Sequence, residues 1–186
     1  MNLPNFIKRR SVSPDMLTSL FEHHLLKCCD ILKLSQFKGT PEDEYDLYAV
    51  TYIVSDLAFF AVGKNRDKMS TIVDTIVHRL SVLYPDNSYD DFANRIDFYT
   101  SIMRGASLHA HVLPGVDISN ADPVTRCAIA FCDCLIDPLC RLDYDDCSVP
   151  MFSAFEVFNI ATEVYKPLIV ELSALYTDMC KFAKKS

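Results

Sequence analysis

Four prolines directly follow a residue that can cap a helix, and this feature constrains the fold more than any other. The pairs are Ser13-Pro14, Thr40-Pro41, Asp122-Pro123 and Asp137-Pro138. Proline suits the first helical turn, because the N–H group that it lacks would have no partner there, and a preceding Ser, Thr or Asp accepts hydrogen bonds from the exposed amides. The chain has four glycines against nine prolines, a balance that argues against a turn-rich β architecture. These signals predict a chain built from helices.

Apolar residues recur at spacings of three and four between these starts, which is typical of helices with one buried face. The second helix is apolar nearly all round, so we expect it to lie at the centre of the fold. The spacing predicts helices over about 14–36, 41–62, 66–84, 88–104, 123–136 and 151–184.

The last of these segments has the most regular spacing, and Pro167 interrupts it. A proline inside a helix removes a hydrogen bond and clashes with the preceding turn, so we expect a kink or a break there. We therefore predict an all-α, single-domain bundle of about six helices with a long, Pro-kinked C-terminal helical segment. The domain is expected to cover residues 13–186, after an N-terminal tail of residues 1–12.

The stretch CAIAFCDCLIDPLC, residues 127–140, contains four of the eight cysteines. On a helix, Cys127 and Cys134 share a stripe about 20° wide, whereas Cys132 points about 140° away from Cys127. A tetrahedral zinc site needs thiolates that converge, usually from two C-x-x-C turns. We therefore interpret these cysteines, and the adjacent Cys28 and Cys29, as small buried residues of the core. A metal site and a redox role remain as alternatives.

Three polar residues in apolar surroundings are candidate ligand-binding residues. His24 lies on the apolar stripe of the first helix, Asp56 lies in the helix with the most buried character, and Arg95 is a candidate anion-binding group. A ligand pocket inside the bundle would use such groups. The simpler interpretation is that neighbouring side chains satisfy each of them. For Asp56 this means a partner such as an inward hydroxyl or Arg95, or else local exposure to solvent.

A second constellation suggests a metal site. If residues 109–111 are extended, His109 and His111 point the same way and share a metal ion, with Asp143 and Asp145 as further ligands. If the fourth helix continues through this segment, the two histidines point apart. No resident cofactor is expected from any other motif.

Charge and motifs limit the classes of function. The net charge of −7 opposes binding to nucleic acid or to an anionic membrane, since both require a basic face. The chain shows no phosphate loop, nucleophile elbow or zinc-protease motif, and the N-terminus does not resemble a secretory signal. Eight cysteines without an export signal predict free thiols in the cytoplasm.

These features favour a non-enzymatic helical interaction protein, either regulatory or an assembly factor. The partner is expected to be another protein or a second copy of the chain, and the pattern leaves these two open. The alternative is a helical protein that binds a small ligand or a metal inside the bundle and depends on it for function.

Overall fold

The computed structural model describes residues 13–35, 41–63, 66–87, 89–104, 120–136 and 158–185. Within these ranges the chain is an all-α, single-domain bundle without strands, as the sequence predicts. Its helices are α1 (Pro14–Leu34), α2 (Pro41–Ala61), α3 (Asp67–Leu83), α4 (Tyr89–Met103), α5 (Pro123–Ile136) and α6 (Lys166–Lys185). None of the described helices combines the length and the apolar character needed to cross a membrane.

Two of the predicted caps are present in the structure. Ser13 Oγ accepts the amide of Met16 at 3.3 Å, at the start of α1. Asp122 Oδ1 accepts the amides of Val124 and Thr125, each at 3.0 Å, at the start of α5. Burial raises the pKa of Asp122, but hydrogen bonds from Thr125 and Val124 outweigh it and lower that pKa below its ordinary value of 3.8. The carboxylate is therefore the form that caps α5.

Several other predictions lie outside the described residues. They concern the tail of residues 1–12, the caps at Thr40 and Asp137, and the first part of the predicted last helix, residues 151–157. The start of α2 at Pro41 agrees with the prediction.

The second helix occupies the centre of the bundle, as its composition predicts, and it contacts each of the other five helices. Leu47, Val50 and Val54 of α2 are fully buried. The hydroxyls of the buried Thr51 and Ser55 donate to carbonyls four residues earlier in the same helix, at 2.5 and 2.9 Å. Their polar groups are thereby satisfied without a partner from another helix.

The predicted kink at Pro167 takes the form of a π-helical turn, Ala161–Tyr165, directly ahead of α6. The amide of Lys166 donates to the carbonyl of Ala161, five residues earlier. Proline has no N–H group, and its ring would clash with the carbonyl four residues before it. A wider turn at this point moves that carbonyl, so the helix continues past the proline. Beyond it, α6 packs against α1, α2 and α5.

Candidate functional site

His24 of α1 is buried against α6, as its place on the apolar stripe predicts. Its Nδ1 lies 2.5 Å from Glu171 Oε1, and its Nε2 lies 3.4 Å from Asp178 Oδ2. Glu171 and Asp178 are seven residues apart, so they lie two turns apart on one face of α6. The imidazole therefore lies between two carboxylates of the same helix.

Two lysines complete this group, which we call the His24 cluster. Lys27 Nζ lies 3.3 Å from Glu171 Oε1, and Lys181 Nζ lies 2.9 Å from Asp178 Oδ1. The hydrogen bond from Lys181, together with a smaller effect of His24, lowers the pKa of Asp178 below its ordinary value of 3.8. The members of the cluster face one another, and their contacts hold α1 against α6.

Arg95 of α4 belongs to another group, the Asp46 cluster, which consists of the fully buried Asp46 and Tyr99 and the partly buried Arg95. Arg95 Nε lies 3.2 Å from Oδ1 of Asp46, a carboxylate with no exposed surface. Burial, followed by the charge of Asp46, raises the pKa of Tyr99 well above its ordinary value of 10. The structure corrects one pairing from the sequence: Arg95 pairs with Asp46, so it is not the partner of Asp56.

Asp56 of α2 is partly buried, with 24% of its side chain exposed, so partial exposure and an ion pair together account for this carboxylate, as the simpler interpretation of the sequence allows. Its Oδ2 lies 3.4 Å from Nη2 of Arg66, which lies just before α3. The guanidinium of Arg66 also lies over the ring of Phe60, 5.6 Å from the ring centroid. This is the distance range of a cation–π interaction.

These residues belong to a group that we call the Phe60 patch, in which Phe60, Arg66 and Tyr89 are exposed and Tyr52 and Asp56 are partly buried. Positions 52, 56 and 60 share one face of α2 because they are four residues apart. The pKa of Tyr52 is raised mainly by burial and further by Asp56 and Tyr89, whereas Arg66 lowers it, so all three lie within electrostatic range. The patch thus joins α2, α4 and the start of α3.

The local backbone fixes the position of Arg66. Gly63 has φ 68°, and its amide donates to the carbonyl of Phe60 at 3.0 Å, so the chain turns sharply after α2. Only glycine adopts this left-handed conformation without strain. The carbonyl of Arg66 then accepts the amides of Met69 and Ser70, at 2.9 and 3.1 Å. Arg66 is therefore anchored in the first turn of α3 while its side chain reaches back to α2.

The exposure of this patch is the property that carries functional information. Phe60 is 68% exposed, and the side chain of Arg66 is 67% exposed. Tyr89 is exposed as well. A single exposed apolar residue is normal, but aromatic residues and arginine together are the types enriched at the centres of protein–protein interfaces.

Sequence reasoning missed Phe60, because the helix that contains it was interpreted as apolar on all sides. The spacing between Phe60 and Asp56 is the signal that could have identified Phe60 as a surface residue. Phe60 is four residues after Asp56 and therefore shares its face. An aspartate that is not fully buried marks a face at the surface of the bundle.

Five of the six described cysteines belong to the interior, as the sequence predicts for them, whereas Cys180 is partly buried and Cys140 lies outside the described residues. Cys28, Cys29, Cys127, Cys132 and Cys134 are buried. The six cysteines among the described residues are free thiols. Burial raises the pKa of Cys127 to about 12 and that of Cys29 to about 11. Because the thiolate is the form that attacks substrates and binds metals, these protonated thiols are unsuited to either role.

The predicted metal ligands His109, His111, Asp143 and Asp145 lie outside the described residues, so a metal site there stays a prediction. Across the described ranges, no group of three or more His, Cys, Asp or Glu residues is arranged to hold a metal ion. The three predicted ligand-binding residues are described, and the structure places His24, Asp56 and Arg95 in three separate ion pairs.

No protein-family model, curated protein or solved structure matches this chain. The class of protein that the fold defines is an all-α helical bundle. Helical bundles have many unrelated functions, so the function has to be inferred from the chemistry of particular residues.

Proposed function

We propose that the chain is a non-enzymatic interaction protein of the cytoplasm, with a regulatory or assembly role, and that it binds another protein chain through the Phe60 patch. The observation that carries this proposal is the exposed combination of Phe60 and Tyr89 with Arg66. In an interface, such residues bury large areas at low cost in side-chain entropy.

The ion pairs between helices support a role without catalysis. In the His24 and Asp46 clusters, His24 pairs with Glu171 and Asp178 and Arg95 pairs with Asp46, so these groups act as connections within the bundle. The buried thiols are held in the protonated form. Free thiols also support a reducing compartment such as the cytoplasm.

The geometry of the patch favours binding with little reorganisation. The backbone of Arg66 is held by the first turn of α3, and Tyr52, Asp56 and Phe60 lie on the central helix. A segment whose backbone is already ordered loses less entropy when it binds, and this loss is a major cost of association.

The proposal can be tested with a matched pair of serine variants. Phe60→Ser removes the aromatic ring of the patch. Phe158→Ser removes a ring of similar exposure, 64% against 68%. Cys180 Sγ contacts the carbonyl of Ala58 at 3.8 Å, so the end of α2 lies beside the end of α6. Phe158 precedes α6 and is therefore at the other end of that helix.

The experiment is in-cell crosslinking and capture with the wild type and both variants, followed by purification of the captured protein and titration calorimetry. We expect Phe60→Ser to weaken binding at least about tenfold, because aromatic residues at interface centres contribute most of the affinity. Phe158→Ser should bind like the wild type. Equal affinity for the wild type and Phe60→Ser would contradict the proposal.

A further inference from the structure

We infer that the His24 cluster is a pH-sensitive contact between α1 and α6, in which a charged His24 binds two carboxylates of α6 and releases them when the pH rises and its proton is lost. The inference goes beyond the proposed function, because it concerns the attachment of one helix to another and needs no partner. Its basis is the position of the two ring nitrogens. Nδ1 lies 2.5 Å from Glu171 Oε1, and Nε2 lies 3.4 Å from Asp178 Oδ2.

The number of protons on the imidazole follows from the groups that it faces. A neutral imidazole has one N–H donor and one accepting nitrogen, whereas the imidazolium has two donors, and a carboxylate only accepts. With a carboxylate oxygen on each side, a neutral ring would direct the lone pair of one nitrogen at an anion. The imidazolium presents a donor to both carboxylates, so it is the form that fits this geometry.

Burial increases the importance of this match. His24 is 3% exposed, so solvent has little access to either ring nitrogen, and a buried polar group without a partner is costly. Asp178 also responds to the imidazole. Its pKa is lowered first by a hydrogen bond from Lys181 and further by the hydrogen bond and the charge of His24.

Two lysines of the cluster compete with His24 for the same carboxylates. Lys27 Nζ lies 3.3 Å from Glu171 Oε1, and Lys181 Nζ lies 2.9 Å from Asp178 Oδ1. Both lysine side chains are exposed, so solvent and salt screen their charges. The imidazole is buried between the carboxylates, and its interaction with them is screened less.

The other elements that pack against α1 are α2, α3 and the π-helical turn. Arg79 of α3 pairs with Glu22, which is two residues before His24 and therefore on the opposite side of α1. Glu44 of α2 accepts a hydrogen bond from a tyrosine at the end of α3, and Glu163 of the π-helical turn is exposed. Among the described residues, the carboxylates in contact with His24 are those of α6.

This arrangement links the stability of the fold to pH. Histidine in an unfolded chain releases its proton with an ordinary pKa of about 6.5, whereas the folded chain keeps the proton that joins the two carboxylates. The stability from this contact is therefore complete below about pH 6.5 and is lost as the pH rises. A single proton changes the folding equilibrium constant by at most about tenfold per pH unit.

The test is urea unfolding of the full-length chain, monitored by circular dichroism, between about pH 6 and about pH 8. Asp178→Asn keeps the shape of the side chain, but its amide can donate to a neutral Nε2, so the second proton is no longer needed. His24→Gln removes the imidazole. His23→Gln is the matched control, because His23 is exposed and its ring lies 5.4 Å from that of His24.

The upper limit of this pH range separates the histidine from the buried thiols. Burial raises the pKa of Cys29 to about 11 in the folded chain, against an ordinary value of 9.0. Unfolded thiols therefore ionise first, which gives a similar loss of stability at higher pH. This contribution is common to the wild type and the variants.

We expect the folding equilibrium constants of the wild type and His23→Gln to fall with rising pH. From about pH 6.5 to about pH 8, the fall should be at least about threefold larger than in Asp178→Asn or His24→Gln. In the wild type, nitrogen-15 NMR should show that both ring nitrogens of His24 carry a proton at about pH 7.

Two outcomes would overturn the inference. One is the same dependence on pH in the wild type and in Asp178→Asn, and the other is a His24 ring with one unprotonated nitrogen at about pH 7. If His24→Gln does not fold, Asp178→Asn, which changes a partly exposed residue, and the NMR spectrum of the wild type still decide. Neither measurement involves the Phe60 patch, so the inference and the proposed function fail independently.

Discussion

Asp46 and Asp56 lie on the same helix, α2, and each forms an ion pair with an arginine beside an aromatic side chain, but their environments are opposite. The side chain of Asp46 is 0% exposed and that of Asp56 is 24% exposed. The distances to the arginines are similar, 3.2 Å to Arg95 and 3.4 Å to Arg66. The difference teaches that the burial of an ion pair, more than the identity of its residues, decides how much the pair contributes to the stability of the fold.

The helical geometry explains how one helix carries both pairs. Ten residues separate the two aspartates, which corresponds to about 15 Å along the axis and about 80° around it. Asp46 thus meets α4 inside the bundle, while Asp56 shares its face with Phe60 at the surface. The inner pair connects two helices in the interior, and the outer pair leaves the guanidinium of Arg66 exposed to solvent.

The largest expected effect breaks the inner pair. Asp46→Ala leaves the guanidinium of Arg95 largely buried without its carboxylate, and we expect a loss of about 3 kcal/mol in the free energy of unfolding. Asp56→Ala is the matched control, because it makes the same substitution in the same helix. It should cost at most about 1 kcal/mol, as exposed pairs do. Urea unfolding monitored by circular dichroism measures both, and equal losses would contradict the comparison.

A smaller effect on the free energy of unfolding is expected from Tyr99 of the Asp46 cluster, and it appears at alkaline pH. Burial raises the pKa of Tyr99 well above 10 in the folded state. The unfolded chain therefore releases this proton first, so the stability from neutral Tyr99 is complete below pH 10 and is lost as the pH rises towards the folded-state pKa. We expect Tyr99→Phe to reduce the slope of unfolding free energy against pH above about pH 10.

Tyr52→Phe is the control for this slope. The pKa of Tyr52 is raised too, but this tyrosine is only partly buried and lies in the Phe60 patch, so its removal should change the slope less. Urea unfolding at a series of alkaline pH values gives the slopes for the wild type and both variants. If Tyr52→Phe reduced the slope of unfolding free energy against pH as much as Tyr99→Phe, the proposed difference between the buried and the partly buried tyrosine would be wrong.

Much of the fold could be predicted from the sequence, because caps, proline positions and apolar spacing act locally. Ser13 and Asp122 cap helices as predicted, and the interruption at Pro167 appears as a π-helical turn. His24 was correctly placed on a buried stripe. In each case the information lies within a few residues of the position that it determines.

The pairing of charged residues could not be predicted in the same way. His24 contacts Glu171 across 147 positions of sequence, and nothing local to either residue specifies this contact. Asp46 was not singled out, although it is more deeply buried than Asp56. The periodicity of the sequence shows that one face of a helix is apolar. Which carboxylate on that face is buried depends on where neighbouring helices cross it, and this crossing point is not encoded locally.

The smallest expected effect concerns the outer pair and separates stability from binding. Arg66→Met keeps an unbranched side chain but removes the charge that contacts Asp56 and Phe60. Because exposed pairs are weak and are screened by salt, it should change the unfolding free energy by at most about 0.5 kcal/mol, and less at high ionic strength. Urea unfolding at low and high salt checks this. A loss as large as that of Asp46→Ala would show that the outer pair also holds the fold, whereas a neutral change with lost association would mean that Arg66 serves the interface.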